Sequence, residues 1–433
     1  MKSIKFAALF IFLLIFAGLI WNYSDFAKTA EQGIFNQNCK PIETGKPNAE
    51  EQKPTFPEQT RACEVKSKTA YEVTVIAKGL NKPWAVEPLP DGSFLITEKG
   101  GQMRIVSKEG KIGEPLQGVL AVGQGGTTEA SKLGGLPPIT AQGQGGLLDV
   151  ALSPNFQKDS IIFWSFSEER ADGSGTSVAR GKLSQDRTKI EDVKIIFRAL
   201  PSYKNGLHFG SRIAFDKDGK LYVTTGDRFD RPNREMVQKL DNHYGKVMRI
   251  NQDGTIPNDN PFIKTEGAKP EIWDLGHRNI QSAAFDEKGQ LWTVEHGARG
   301  GDELNLIEKG KNYGWSIVTF GQEYSGQAIP NSQTKREGYV DPVYYWDPVI
   351  APSGMEVYTG KAFPEWKGNI FIGGLVSQRL VRLVMKNNKV IGEEHLLTDR
   401  GQRIRDVKQS SDGFLYVVTD ETNGELIRIS PKK

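Results

Sequence analysis

The chain has 433 residues, of which 37% are hydrophobic and 25% are charged, so it is long enough to bury a large core. Its 47 Gly, 22 Pro and 2 Cys exclude a collagen-like fibre, a disulfide-framework domain and a wholly disordered chain. Fifty-six Lys and Arg against 53 Asp and Glu leave a formal charge of +3, a balance that predicts no nucleic-acid partner.

The N-terminal residues have the pattern of an export signal. Lys2 and Lys5 precede an apolar run from Phe6 to Trp21, and no small-residue cleavage site follows that run. The pattern predicts a signal peptide or an N-terminal membrane anchor over residues 1–21. We therefore expect the rest of the chain to be exported to the periplasm, either soluble or held by the N-terminal segment.

Residues 22–68 are polar, with four prolines and few aliphatic side chains. Because such a composition buries too little apolar surface to offset the entropy of ordering, it predicts a linker. Cys39 and Cys63 lie inside this segment. Outside the cytoplasm a disulfide is favoured over a catalytic or haem-binding role for them.

One unit recurs six times in residues 69–433: an apolar strand, a turn with Pro, Asp or Gly, and a second strand with an acidic or glycine-rich exit. Short runs rich in β-branched and aromatic residues indicate strands rather than helices. The first strands begin near Trp84, Leu147, Arg212, Ile280, Met355 and Ile404.

The repetition predicts an all-β fold, a six-bladed β-propeller with four-stranded antiparallel blades around a central channel. A two-sheet sandwich is the structural alternative, but it does not account for one recurring unit. The run YEVTVIA from Tyr71 is expected to supply the outer strand that closes the ring, by pairing with GELIRIS from Gly424 in the last blade.

Residues just before each first strand should gather at one mouth of the channel. Guanidinium groups there would suit a small planar ligand with several carboxylates. Alternatively, each arginine only pairs with a neighbouring acid. The residues at this repeated position are Gln144, His208, Arg278, Asn279, Arg403 and Arg405.

Asp227, in TTGD, ends the strand that follows the His208 strand. A carboxylate that holds an imidazole fixes its tautomer and raises its basicity, which a general base near neutral pH requires. The alternative is a hydrogen-bonded core histidine without a catalytic role.

The segment HGARGGDELNLIEKGKNYGW, from His296 to Trp315, combines glycine carbonyls with the carboxylates of Asp302 and Glu303. These hard oxygen ligands suit calcium rather than zinc, although GGDE alone is equally typical of a turn with a solvated acid pair. The 5 histidines lack zinc spacing, and no Walker or G-x-G-x-x-G motif is present. Nucleotide, flavin and nicotinamide chemistry therefore lose support.

Seven motifs in order, GQGGLLDV, HFGSRIAFD, LGHRNIQ, EHGARGGDELN, KGKNYGW, SGMEVY and TDRGQRIRDV, resemble the soluble quinoprotein sugar dehydrogenases. The resemblance runs from Lys82 to Pro431 and is closest to the aldose sugar dehydrogenases that depend on pyrroloquinoline quinone (PQQ). It implies a six-bladed propeller that binds PQQ and calcium. It also implies oxidation of aldose sugars at C1 to lactones, with an external electron acceptor.

The resemblance assigns a role to each candidate residue. His208 matches the general base, Asp227 its carboxylate partner and Arg278 a group beside the reactive quinone oxygen. Gly297 and Ala298 match carbonyl ligands of a PQQ-bound calcium, and Glu303 and Tyr313 match a second calcium site. The implied cofactor contacts are Gln144, His208, Arg278, Asn279, Tyr324, Arg403 and Arg405.

Two positions depart from the family pattern. Ala298 stands where the family has proline, an exchange that keeps the carbonyl ligand. Val376 stands where the family has a lysine that meets the cofactor, so one cationic contact is missing unless Arg379 replaces it. Two rival functions remain: a calcium-dependent six-bladed propeller lactonase, which needs no arginine ring, and a non-catalytic binding propeller.

Overall fold

Six antiparallel sheets follow one another along the chain, five with four strands and the first with three. The computed structural model describes residues 39–118 and 138–432. Ile42–Lys433 forms one unit, and of the other unit, Met1–Pro41, residues 39–41 are described. The predicted signal or anchor over residues 1–21 lies outside the described residues. Among those that are described, no helix is long and apolar enough to cross a membrane.

The innermost strand of each sheet contacts the innermost strands of the two neighbouring sheets, which closes a ring around a channel. The predicted six-bladed β-propeller is therefore confirmed. The innermost strands are β2 (Pro83–Pro88), β5 (Leu147–Leu152), β9 (Ile213–Phe215), β13 (Ile280–Phe285), β17 (Pro352–Val357) and β21 (Ile404–Gln409). Next in each blade are β3 (Phe94–Glu98), β6 (Ile161–Arg170), β10 (Leu221–Thr224), β14 (Leu291–Glu295), β18 (Ile370–Gly374) and β22 (Leu415–Thr419).

The outer half of each blade completes the sheet. The third strands are β4 (Gln102–Val106), β7 (Gly173–Leu183), β11 (Lys246–Ile250), β15 (Asp302–Ile307), β19 (Arg379–Lys386) and β23 (Gly424–Pro431). The outermost are β8 (Ile190–Arg198), β12 (Ile272–Leu275), β16 (Tyr344–Trp346), β20 (Lys389–Leu396) and β1 (Tyr71–Leu80). The described helices are Phe156–Asp159 and Arg231–Val237, with 3-10 turns at Pro57–Gln59 and Pro364–Trp366.

The ring closes through β1, which pairs antiparallel with β23 from Tyr71 opposite Pro431 to Leu80 opposite Gly424. This confirms the predicted closure by the YEVTVIA segment. Hydrophobic cores lie between neighbouring blades; one, for example, joins Trp84 of β2 to Trp164 of β6. Because the second strands pack on both faces, they read as continuous apolar runs, and β3 is buried at every residue.

Residues 42–68 differ from the expectation of a free linker, because they lie against the fourth and fifth blades. The Gln59 amide donates to the Pro342 carbonyl at 3.0 Å, and the Ser67 hydroxyl donates to Glu394 at 2.6 Å. Hydrogen bonds to blade groups thus hold a segment that has few apolar side chains to bury. Cys39 and Cys63 are both disulfide-bonded, as expected.

Candidate active site

One mouth of the channel opens into a cavity of about 450 Å³ to which every blade contributes. The loops that enter the innermost strands and the exits of the second strands both end here, so residues far apart in sequence share its wall. From the first to the sixth blade, wall residues include Lys99, Gln144, Phe209, His296, Val376 and Arg405. This volume is typical of a small-molecule site.

His208 lies in the loop before β9 and Asp227 follows β10. Their side chains are buried, and His208 Nδ1 lies 2.6 Å from Asp227 Oδ1. Burial and the nearby Arg278 lower the pKa of His208 below its usual value, against the opposing effect of Asp227. Burial raises the pKa of Asp227, but His208 and Arg278 outweigh it and the pKa lies below its usual value.

The pair is therefore a neutral imidazole beside an ionised carboxylate. Because the Asp227 carboxylate accepts a hydrogen bond from His208 Nδ1, the imidazole proton sits on Nδ1. The Nε2 of His208 therefore keeps its lone pair. The residues next to His208, Phe209 and Gly210, line the cavity, while His208 itself forms the layer behind them with 3% exposure.

Backbone geometry explains why residue 226, next to Asp227, is a glycine. His208 has φ 49°, a left-handed conformation that a non-glycine residue rarely adopts. At Gly226, a side-chain carbon would lie 2.4 Å from the His208 carbonyl and 2.7 Å from Asn279 Oδ1. Glycine at position 226 thus allows the His208 loop to pack directly on the strand exit that carries Asp227.

Two predicted cofactor contacts also brace the His208 loop. Gln144 Oε1 accepts from the His208 N–H at 2.9 Å. Asn279 Oδ1 accepts from the Gly210 N–H at 3.1 Å. These amides therefore hold the histidine loop from the second and fourth blades.

Arg278 lies beside the pair and is 3% exposed. Its backbone N–H donates to Glu295 at 2.6 Å, and its guanidinium donates to the carbonyls of His296 and Gly297. Nη2 also reaches the Tyr324 hydroxyl at 3.4 Å. Tyr324 is 60% exposed, and its contact with Arg278 brings this predicted residue to the same site.

Arg403 and Arg405 share one acid. Their Nη2 atoms lie 2.8 Å and 3.0 Å from the same oxygen of Asp420. Both arginines therefore pair with a neighbouring acid, as the alternative expected, although they share a single carboxylate oxygen. Lys82 and Lys99 line the same cavity, so four cations face a single wall carboxylate.

Val376 lines the cavity and is 60% exposed. Arg379 does not line this cavity, because its Nη1 donates to His395 Nδ1 at 2.6 Å. His395 in turn bonds Glu393 at 2.6 Å through Nε2. The replacement of the family lysine by Arg379 is thus not seen, and Lys82 and Lys99 are the additional cations.

Three of the predicted metal ligands, Gly297, Glu303 and Tyr313, surround one small void of about 10 Å³. Burial and the neighbouring Glu295 raise the pKa of Glu303 well above its usual value. The Tyr313 hydroxyl donates to the Leu306 carbonyl at 2.6 Å, so its main-chain carbonyl is the atom left for a metal. Ala298 is buried next to Gly297.

Carboxylates and imidazoles alone do not make a metal site here. In residues 39–118 and 138–432, no group of three or more His, Cys, Asp or Glu is arranged to hold a metal. A cation at this place would therefore need main-chain carbonyls as well, a mixed oxygen set that calcium accepts.

Sequence reasoning missed four residues of the site: Lys82, Lys99, His296 and Trp315. Lys99 could have been found from its position, because it directly follows Glu98, the acidic residue at the end of β3. Trp315 ends a motif that stood out in the sequence, but its indole contacts Asp227, 88 residues away.

The fold and the site define a six-bladed propeller with a cation-lined ligand cavity and a buried histidine–aspartate pair. Residues 80–428 match the family model for Glucose / Sorbosone dehydrogenase. Aldose sugar dehydrogenase YliI of Escherichia coli is 43% identical over 364 residues, covering 83% of this chain and 93% of that protein. Quinoprotein glucose dehydrogenase B of Acinetobacter calcoaceticus is 27% identical, covering 81% and 85%.

Solved structures agree with these relatives. The apo-form soluble aldose sugar dehydrogenase of E. coli has a TM-score of 0.77 at 41% identity, covering 84% of this chain and 100% of its own. The PQQ-bound aldose sugar dehydrogenase of Streptomyces coelicolor has a TM-score of 0.66 at 27% identity, covering 85% and 100%. The chain belongs to the Glucose / Sorbosone dehydrogenase family, which confirms the resemblance seen in the motifs.

Proposed function

We propose that this protein oxidises aldose sugars at C1 to lactones, using PQQ as hydride acceptor, calcium as an auxiliary cation and His208 as general base. The observation that carries the proposal is the His208–Asp227 hydrogen bond of 2.6 Å, directly behind Phe209 and Gly210 in the wall of a cation-lined cavity. Relatives named aldose sugar dehydrogenase and quinoprotein glucose dehydrogenase support the same chemistry.

The cavity fits PQQ, a planar tricarboxylate. Asp420 is the one acid among the described residues that line the cavity, whereas four basic residues line it: Lys82, Lys99, Arg403 and Arg405. The cavity wall therefore has an excess of positive charge. Guanidinium forks bind carboxylates in two-point contacts, so Arg403 and Arg405 would hold the ligand together with the amide of Gln144. Arg278, Asn279 and Tyr324 would contact it from the fourth-blade side.

The donor set near Gly297 fits calcium. The carbonyls of Gly297 and Ala298 would hold the cation that accompanies PQQ, and Glu303 with the Tyr313 carbonyl would hold a second one. The Gly297 carbonyl accepts from Arg278 in this structure, and its second lone pair would be the one offered to the cation.

Within this site His208 Nε2 accepts the proton of the C1 hydroxyl as the C1–H bond gives up its hydrogen and electron pair. Asp227 keeps the imidazole in the required tautomer and stabilises the positive charge that forms on it. Arg278 stabilises negative charge that develops on the acceptor oxygen. When bound, PQQ would supply the quinone that accepts the hydride, and calcium would polarise the quinone carbonyl.

The test begins with purified apoprotein, titrated spectroscopically with PQQ in the presence of calcium. A panel of aldoses with an artificial electron acceptor then follows dye reduction and lactone formation. PQQ binding with sugar-dependent dye reduction supports the proposal. Hydrolysis of lactones that needs calcium and no PQQ would favour the lactonase, and PQQ binding without turnover would favour a binding propeller.

We also propose a division that keeps the predicted signal or anchor over 1–21 and the dehydrogenase domain over 69–433, placed in the periplasm. Between them lies a polar segment over 22–68, of which residues 42–68 pack against the blades rather than forming a free linker. Cell fractionation and N-terminal sequencing of the mature protein test this. A cytoplasmic protein that retains Met1 would contradict it.

A further inference from the structure

The indole of Trp315 contacts the carboxylate that holds the candidate base. Trp315 is 5% exposed, and its backbone N–H donates to the Gly276 carbonyl at 2.8 Å, just before His277 and Arg278. Its Nε1–H donates to Asp227 Oδ2 at 2.7 Å. A residue of the fourth blade thus binds the acid of the third blade.

Trp315 completes the contacts of this carboxylate. Asp227 Oδ1 accepts from His208 Nδ1 at 2.6 Å and from the Phe229 N–H at 2.8 Å. Among the residues that the structure describes, the Trp315 indole is the hydrogen-bond donor to Oδ2. Donors on both oxygens fix the plane of the carboxylate, and that plane sets the direction in which Oδ1 meets the imidazole.

The Trp315 ring also makes a cation–π contact with Arg278. The Arg278 guanidinium lies 5.3 Å from the Trp315 ring centroid, and Arg234 lies at the same 5.3 Å. Arg234 is itself held by Glu323 through contacts of 2.7 Å and 3.1 Å. Such cation–π contacts are stronger when they are shielded from water, as at this buried ring.

We propose that Trp315 is a positioning residue of the reaction. Its indole N–H aligns Asp227 with His208, and its ring face holds Arg278 beside them. This inference rests on the proposed function, since it names a further residue of the same site. Trp315 does not line the ligand cavity, so it acts through its two neighbours, Asp227 and Arg278.

The discriminating variant is Trp315→Phe, which keeps an aromatic ring but removes the N–H. We expect kcat to fall at least about tenfold while KM for the sugar changes less than about threefold, because alignment rather than substrate binding is lost. PQQ affinity, measured by absorbance titration, should stay within about threefold of the wild-type value.

A pH profile separates positioning from packing. Losing the donor on Oδ2 leaves more negative charge facing His208, which favours the protonated imidazole and moves the acid limb of kcat to higher pH. The charged and titratable groups that face His208 are Asp227, Arg278, Arg228 and His296, and all of them remain in this variant. A purely structural loss lowers activity without moving the limb.

The chain offers a matched control. Trp292 is 3% exposed and donates its Nε1–H to Asp286 at 3.2 Å, outside the cavity wall. Trp292→Phe should therefore cost similar stability but leave kcat and its pH profile unchanged. A double-mutant cycle with Asp227→Ala should show that Trp315→Phe has little further effect once the carboxylate is gone.

A third readout needs only wild-type protein and Asp227→Ala. One tryptophan indole N–H resonance should exchange with solvent faster in Asp227→Ala than in wild type, and this arm stands even where Trp315→Phe does not fold. Wild-type kcat and an unmoved pH limb in Trp315→Phe, or no altered indole in Asp227→Ala, would overturn the inference. A wild-type protein that neither binds PQQ nor oxidises sugars instead overturns the proposed function.

Discussion

The main chain of His208 packs directly on Gly226, so close that a side-chain carbon at Gly226 would lie 2.4 Å from the His208 carbonyl oxygen. The same carbon would meet Asn279 Oδ1 at 2.7 Å. The candidate base therefore depends on a missing side chain as well as on its hydrogen-bond partners.

Gly226→Ala is expected to displace the His208 loop. Overpacking of this kind costs about 1–3 kcal/mol in unfolding free energy, and the shift should separate His208 from Asp227. Thermal denaturation and sugar oxidation measure the two effects. Gly100→Ala is the control, because nothing lies within 4 Å of its added carbon, and an equal loss in both variants would contradict the prediction.

His208→Ala should lower kcat by about 10²–10⁴-fold, because general base catalysis is removed. PQQ binding should persist, since the cations of the cavity wall are untouched. Steady-state kinetics with saturating PQQ and calcium provide the measurement. Turnover at the wild-type rate would show that another group takes the hydroxyl proton.

The pH dependence of kcat/KM follows from the lowered pKa of His208. Burial and Arg278 both disfavour the imidazolium, so the base stays deprotonated, and the enzyme active, below pH about 6.5. Arg278→Met removes one of these causes and should move the acid limb to higher pH. An acid limb above the ordinary histidine pKa in wild type would contradict the assignment.

Lys99→Met should weaken PQQ binding about 3–30-fold, because one of the cavity cations is lost near a trianionic ligand. The dependence of affinity on salt should become shallower. Lys108→Met, at a lysine whose side chain is 70% exposed, is the matched control and should leave affinity unchanged. Val376→Lys adds a cation to the wall and should tighten binding.

Calcium should raise the melting temperature of the wild-type protein, because a ligand that binds only the folded state stabilises it. Glu303→Gln should abolish much of this increase, since its partly buried carboxylate lines the void beside Gly297 and Tyr313. Differential scanning calorimetry with calcium or a chelator measures the change. The same calcium-dependent increase in both proteins would place the cation elsewhere.

Several features could be read from the sequence because they depend on local patterns. Repeated strand and turn units predicted the blades and the closure by β1, since alternating turns and β-branched runs act over a few residues. The repeat position also brought His208, Arg278 and Arg405 to one mouth, and the motifs identified the family. The polar composition of residues 42–68 predicted a linker, because few apolar side chains are available for burial. In the structure, hydrogen bonds to the blades hold this segment instead.

Side-chain contacts between strands, within and between blades, were beyond any local pattern. The Trp315 indole meets Asp227 across 88 residues, and Arg403 and Arg405 share one oxygen of Asp420. His395 holds Arg379 at 2.6 Å, although spacing alone left that arginine free to reach the cavity. Such pairings depend on ångström-scale side-chain directions, which are set only when the strands pair into sheets and the six sheets close into a ring.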